Sequence, residues 1–352
     1  MKALTFHGLQ NIHCEWSPDP AILDPQDVLV KVQIAGICGS DLHVYHGRET
    51  GLDTGTVMGH ELAGEVVAAG KAVRRFQVGD RVFSPFTTSC GQCFYCKMGL
   101  TCRCEKGNLY GWVQQGCGLH GGQAEYVRVP LADGTLMHLS QDLSLEQGLL
   151  LGDILPTGYF CADQAGIQAG NTYVVVGCGP VGLMAVIGAL DLGATRLFAV
   201  DSVPERLAQA AAFGAIPLSL PADGVKAAVW EATEGRGADA VMEAVGSPGA
   251  SRLAMDLVRP GGTISTVGVH TSPQFAFSPV EAYDKNLTFK IGRCPAKTYA
   301  ERILRKGTLE RYDPTAIITH RLSLEEGPAG YRMFDKKEEN CLKAVLLPFG
   351  RS

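Results

Sequence analysis

Long apolar runs are missing from the chain. No stretch reaches the about 18 residues that a bilayer-spanning helix requires. Surplus positive charge is missing too. With 31 Lys and Arg against 36 Asp and Glu the net charge is −5, which leaves no basic footprint for nucleic acid or an anionic membrane. The opening residues, Met1-Lys2-Ala3-Leu4-Thr5-Phe6, turn polar too soon to make a signal-peptide core. Repeats and low-complexity segments are lacking as well. These absences predict a soluble, cytoplasmic protein.

Cysteine is plentiful. Many of the 12 crowd into one short segment, and in a chain of 352 residues that pattern points to metal in a reducing compartment rather than to disulfides. The length suffices for two domains, and 46% hydrophobic content can fill both cores.

The stretch Tyr173 to Asp201 organises the reading. Tyr173-Val174-Val175-Val176 reads as a buried parallel strand, Gly177-Cys178-Gly179-Pro180-Val181-Gly182 as a loop, and the residues to Leu192 as a helix. Strand, G-x-G-x-x-G and helix in that order form a dinucleotide fingerprint. Gly177 serves the tight turn, Gly179 the approach of the pyrophosphate and Gly182 the close packing of helix on strand. A second strand ends at Asp201, 19 residues past Gly182, where an acid accepts hydrogen bonds from the adenosine ribose. Its charge opposes a 2′-phosphate and so favours NAD over NADP, although Arg206 is near enough to act on the cofactor as well.

The first 85 residues read as short strands with glycine turns, a small barrel-like β domain. Within it lie Gly36-Ile37-Cys38-Gly39-Ser40-Asp41-Leu42-His43 and Gly59-His60-Glu61. Cys90-x-x-Cys93-x-x-Cys96 follows, with Cys102 and Cys104 beyond, and four thiolates so spaced can close around one tetrahedral Zn²⁺. An iron–sulfur cluster also uses close cysteine spacing, and spacing alone does not choose between Cys102 and Cys104. Four sulfur ligands leave no open position, so such a site is structural. Residues 145–166 have helical character and carry Asp153 among apolar neighbours. There it is either bound to a partner or metal, or satisfied at a helix end. From Gly170 the pattern alternates, with strands at 172–176, 196–200, 215–219, 239–244, 262–268 and 287–291. Helices lie between most of them, at 181–192, 204–213, 225–233 and 248–258, making a doubly wound βαβ series. Gly246 and Gly268 end strands on the edge that carries the glycine loop. After 295 the alternation stops and β character returns.

Taken together these motifs resemble the zinc-dependent medium-chain alcohol dehydrogenases along the whole chain. The resemblance implies an α/β protein: a GroES-like β-barrel catalytic domain at 1–154, a Rossmann NAD-binding domain at 155–295 and a return to the catalytic domain at 296–352. It implies two zinc ions per chain. The catalytic ion belongs to Cys38, His60 and Asp153, with Glu61 beside it as a transient ligand. The structural ion belongs to Cys90, Cys93, Cys96 and Cys104, which leaves Cys102 spare. Many relatives have Cys where this chain has Asp153; the run around it looks most like glutathione-independent formaldehyde dehydrogenases, and secondary-alcohol dehydrogenases also use Asp. The family pattern makes Ser40 and His43 a proton path and Phe86 a wall of the substrate pocket. It places Thr157, Gly177, Gly179, Pro180, Val181, Gly182, Asp201, Arg206, Gly268 and Val269 at the cofactor, with Lys343 reaching the pyrophosphate. The implied reaction is reversible hydride transfer between an alcohol and NAD, giving an aldehyde or ketone. Formaldehyde dehydrogenase or dismutase, polyol dehydrogenase and a non-catalytic nucleotide-binding protein are the alternatives. The implied assembly is a homotetramer or a dimer, without nucleic acid or membrane partners.

Overall fold

The computed structural model describes residues 1–350. The chain divides into two compact units, one of Met1–Asp153, Pro295–Arg302 and the residues from Thr315 on, the other of Ile154–Cys294 and Ile303–Pro314.

The first unit is built on the strand Val28–Gly36, whose side chains alternate between core and surface along most of its length. It pairs antiparallel with Leu62–Ala69 on one side, and Tyr126–Val129 and Lys343–Leu346 also join it antiparallel. Leu62–Ala69 continues to Arg81–Ser84 and Met137–His138, so the sheet holds seven strands. Its core gathers Leu4, Val28, Val30, Val32, Leu62, Val66, Val82 and Tyr331. Six consecutive residues, Cys341 to Leu346, are buried, the last four of them as a strand within the same sheet.

The second unit is a six-stranded sheet, parallel throughout. Ile216–Ser219, Arg196–Asp201, Thr172–Val176, Ala238–Glu243, Val258–Thr266 and Thr288–Ile291 follow one another across it. This is the doubly wound order, in which the chain reverses direction beside its first strand. Every residue of Thr172–Val176 is buried, as a central strand covered on both faces requires. The helices Pro180–Asp191, Pro204–Phe213, Ala222–Ala232 and Pro248–Leu257 fall within a few residues of their expected places.

Two expectations change. The helical stretch at 145–166 is two helices, Leu145–Gly152 and Ile154–Ala165, with Asp153 between them at φ −145° and ψ −77°. The cause is Pro156. In a continuous helix the Gly152 carbonyl would bond to the amide four residues on, and a proline has no N–H there and its ring would clash. The Gly152 carbonyl instead accepts from Phe86 N at 3.2 Å. The start of the first helix is set by a capping box: Ser144 Oγ accepts from Gln147 N at 3.1 Å and Gln147 Oε1 accepts from Ser144 N at 3.0 Å. The second change concerns residues 303–314, which belong to the second unit and not to the returning segment.

Asp191 explains that docking. An acid at the C-terminal end of Pro180–Asp191 faces the negative end of the helix dipole and needs compensation. Its side chain has no solvent exposure. Lys306 Nζ lies 2.8 Å and Thr308 Oγ1 3.1 Å from Oδ2, and Arg311 Nη2 lies 2.6 Å from Oδ1. Tyr159 donates its hydroxyl to Oδ2 at 3.0 Å. Burial works to raise the Asp191 pKa, but the bonds from Lys306 and Arg311 outweigh it and hold the carboxyl below its ordinary value. The charged partners are partly exposed and can rehydrate, so the expected cost of Asp191→Ala is about 1–2 kcal/mol near pH 7. Because the folded-state pKa is depressed, this stability exists above the unfolded value and is lost as pH falls through the folded one. Urea denaturation of both proteins should show the gap closing in acid below about pH 4; a gap that stays constant down to pH 3 would contradict the assignment.

Candidate active site

Neighbouring strands bring the first cluster together. Cys38 follows the end of Val28–Gly36, while His60 and Glu61 precede Leu62–Ala69, and Ala35 stands opposite Leu62 in the register. The main chains close at Gly36 N to Glu61 O, 3.1 Å. Only glycine fits at position 36, since a Cβ would lie 1.7 Å from Glu61 Oε2. Asp153 arrives from the helix break. Its Oδ2 lies 3.2 Å from His60 Nε2 and 3.7 Å from Cys38 Sγ. All four residues are buried, and one ligand atom from each of Cys38, His60, Glu61 and Asp153 lies within 4.8 Å of the others.

Such a group is costly without a cation. Burial, then the charges of Glu61 and Asp153, push the Cys38 thiol up. Glu61 Oε1 is buried without a hydrogen-bond partner among the described residues. A divalent ion answers both: it stabilises the thiolate and takes up buried negative charge. Thiolate, imidazole and carboxylate are ordinary zinc ligands, so the residues fit the metal.

Behind the cluster stands Asp41, to which the sequence reading assigned no role. Asp41 Oδ1 is 3.3 Å from His60 Nδ1, while Oδ2 accepts from Cys38 N at 2.9 Å and from Gln123 Nε2 at 3.1 Å. Tyr331 donates to Gln123 Oε1 at 2.8 Å, completing a buried chain. A carboxylate on Nδ1 turns Nε2 and its lone pair toward the metal position. Asp41 had a local signal, three residues after Cys38; Gln123 and Tyr331 had none, because their partners lie far along the chain.

Lys343 requires correction. Its ammonium has no exposure and is paired with Glu61, with Ile37 O accepting from it at 3.0 Å. Burial opposes the charge, but the surrounding acidic groups, Glu61 first, together outweigh it and raise the Lys343 pKa. Lys343 thus answers the buried acid and is not presented to a pyrophosphate. Ser40 Oγ lies 3.1 Å from His60 Nε2. His43 is buried, its Nδ1 has no partner among the described residues, and burial lowers its pKa. Phe86 is buried too.

The cysteine lobe is a second cluster. Cys90, Cys93, Cys96 and Cys104 come together, all partly buried, and Cys102 is not among them. Cys104 Sγ accepts from Cys90 N at 3.2 Å, and Cys90 Sγ accepts from Gln92 N at 3.4 Å and Cys93 N at 3.3 Å. Backbone N–H groups of Cys96 and Glu105 bring the Cys93 thiol down to about 6. Amides aimed at sulfur suit thiolates, so this set also fits zinc.

In the second unit the glycine loop lies between Thr172–Val176 and Pro180–Asp191. A Cβ on Gly182 would stand 1.7 Å from Gly177 O, so helix and loop close only over glycine. A Cβ on Gly179 would meet only the Arg206 guanidinium, 3.8 Å away, so the backbone there is open to a ligand. Proline begins the helix and Val181 and Gly182 follow, giving an N-terminus that suits an anion. Asp201 fastens the loop: Oδ2 accepts from Cys178 N at 2.7 Å, and Oδ1 accepts from Ser202 N at 2.7 Å and Val203 N at 2.9 Å. Arg206 Nη1 stands 3.7 Å from Asp201 Oδ2. Glu243, absent from the sequence reading, does the same two strands over, on the far side of Thr172–Val176. Its Oε1 accepts from Val245 N and Gly246 N, each at 2.7 Å, and its Oε2 faces Thr266 and His270. Gly268 packs on Gly246, and Val269 beside it is exposed. Thr157 lies on the helix Ile154–Ala165.

Two substitutions separate the clusters. Asp41→Asn removes the charge behind His60 and should weaken metal retention or turnover about 10- to 100-fold with the fold intact. Cys90→Ser should leave the turnover of correctly folded protein near normal but lower thermal stability and release about one zinc ion per chain. Metal analysis by mass spectrometry, read beside melting curves, checks both.

Comparison with known proteins points to one family. Residues 24–140 match the alcohol dehydrogenase GroES-like domain and residues 180–303 match the zinc-binding dehydrogenase family. Zinc-type alcohol dehydrogenase B of Aspergillus flavus is 44% identical over 95% of this chain and 79% of its own length. A medium chain reductase/dehydrogenase of Acremonium, ucsI, is 47% identical over 81% of this chain and 98% of its own. The solved alcohol dehydrogenase of Thermus sp. ATN1 superposes with a TM-score of 0.91 at 40% identity, covering 99% of each chain. The chain belongs to the zinc-dependent medium-chain alcohol dehydrogenases, oxidoreductases made of a GroES-like domain and a Rossmann-type domain.

Proposed function

We propose that the chain oxidises an alcohol to an aldehyde or ketone, reversibly, with NAD as hydride acceptor and two zinc ions per chain. The observation that carries this reading is the buried convergence of Cys38, His60 and Asp153 within 4.8 Å. Those three residues hold the catalytic zinc, with Glu61 beside them, and Cys90, Cys93, Cys96 and Cys104 hold the structural one. Zinc, when bound, is a Lewis acid that lowers the pKa of an alcohol hydroxyl and polarises a carbonyl.

The protein's own groups do the rest. Asp41 orients the His60 ring. Ser40, placed beside His60, receives the alcohol proton. His43, kept neutral by burial and with a free ring nitrogen among the described residues, carries the proton onward. The glycine loop and the helix that begins at Pro180 take the pyrophosphate. Asp201 accepts hydrogen bonds from the adenosine ribose with the lone pairs its backbone contacts leave over. Arg206, Thr157, Gly268 and Val269 complete the cofactor contacts. Self-association is part of the proposal, as a homotetramer or dimer in the cytoplasm. The edge strand Thr288–Ile291, with Ile291 52% exposed, supports it.

Kinetics with short primary, secondary and aromatic alcohols test the reading. Cys38→Ser and His60→Ala should abolish turnover in folded protein. Asp201→Asn should raise KM for NAD and narrow the preference over NADP by about 10-fold or more, the worth of one charged hydrogen bond. An unchanged NAD/NADP ratio would defeat the cofactor assignment.

A further inference from the structure

The first hairpin carries metal-ligating side chains apart from both clusters described above. Lys2–Phe6 and Ile12–Trp16 pair antiparallel, with Thr5 opposite His13 and Ala3 opposite Glu15. Pairing continues into the turn, where His7 N donates to Asn11 O at 2.8 Å. Side chains alternate across a strand, so Thr5, His7, His13 and Glu15 share one face.

On that face the His7 and His13 rings stack with centroids 4.3 Å apart and planes 19° from parallel. His7 Nε2 lies 2.7 Å from Glu15 Oε1, and Thr5 Oγ1 donates to the same oxygen at 2.5 Å. One ligand atom from each of His7, His13 and Glu15 lies within 4.8 Å of the other two. The hydrogen bonds from Thr5 and then His7 hold the Glu15 carboxyl below its ordinary value. The His13 ring hydrogen-bonds to no side chain or backbone group among the described residues, and it is exposed. The platform is fixed: Leu4 and Phe6 are buried on the other face, and bridges join Ala3 to Ala124 and Thr5 to Val57.

A His7–Glu15 ion pair would account for two of these residues. It would not account for a second imidazole parked against the first with its nitrogens unengaged. We propose that His7, His13 and Glu15 form a further cation site, for a divalent ion of the zinc type. Two imidazoles and one carboxylate suit that class of metal, and water completes the shell of a surface site. The cation takes the place of the proton shared between His7 and Glu15, and Thr5 then orients the ligating carboxylate as an outer hydrogen-bond donor.

Equilibrium dialysis of the zinc-loaded enzyme against a fixed free Zn²⁺ concentration tests this. The expected result is one zinc ion per chain more in the wild type than in His13→Ala, and the same loss in Glu15→Gln. His13→Ala keeps the bonds among Thr5, His7 and Glu15, so the hairpin stays formed, and a far-ultraviolet dichroism spectrum matching the wild type accompanies the loss. The count is a difference between variants, so it does not depend on how many ions the other clusters hold. Equal zinc content in the wild type and His13→Ala overturns the proposal, and so does an extra ion that survives both substitutions.

Discussion

Glu61 and Lys343 meet in the interior of the first unit, at 1% and 0% exposure, joined across 282 residues of chain. Taking two such charges out of water costs several kcal/mol each, roughly, and their attraction repays it only with good geometry. Much else follows from keeping that geometry. Gly36 must lack a side chain so that the Glu61 carboxylate can lie against it. Lys343–Leu346 must pair with Val28–Gly36 to deliver the ammonium, and the Ile37 carbonyl must turn inward to share it. With Lys343 answering one oxygen of Glu61, the other oxygen stands with Asp153 and Cys38 as a donor set for a metal.

Carboxylates also do the fastening in the second unit, in a different way. Asp201 and Glu243 stand at the C-terminal ends of two parallel strands, and each accepts backbone N–H groups of the loop beside it. An ionised acceptor makes these bonds short and strong. The loops that face a ligand in this architecture are thereby held by the strands under them rather than by contacts among themselves. Asp201 thus has its structural task met by its own chain, and under the proposed function a second one toward a ribose.

What could be read from the sequence was local. The glycine loop, the cysteine spacing and the strand–helix alternation each fall within a few tens of residues, where periodicity and turn chemistry act directly. Asp153 was recognisable as an unusual acid, but the break that aims it was not, although Pro156 stood in plain view; the helical pattern on both sides masked it. The employment of Lys343 was misread because its partner lies near the other end of the chain. Gln123 and Tyr331 were invisible for the same reason, and Glu243 looked like the end of an ordinary strand. Residues 303–314 were assigned to the wrong unit because nothing near them in sequence points to Asp191.

The buried chain from Asp41 through Gln123 to Tyr331, together with Lys343, has a consequence for synthesis. The ribosome delivers Cys38, His60 and Glu61 early, and their supports only after some 270 further residues have been added. Until Tyr331 and Lys343 emerge, the acids and the thiol stay in water, where they are cheap to keep. The cluster therefore cannot take its final form before those residues are made, and a nascent chain carries the candidate ligands without yet owning the site.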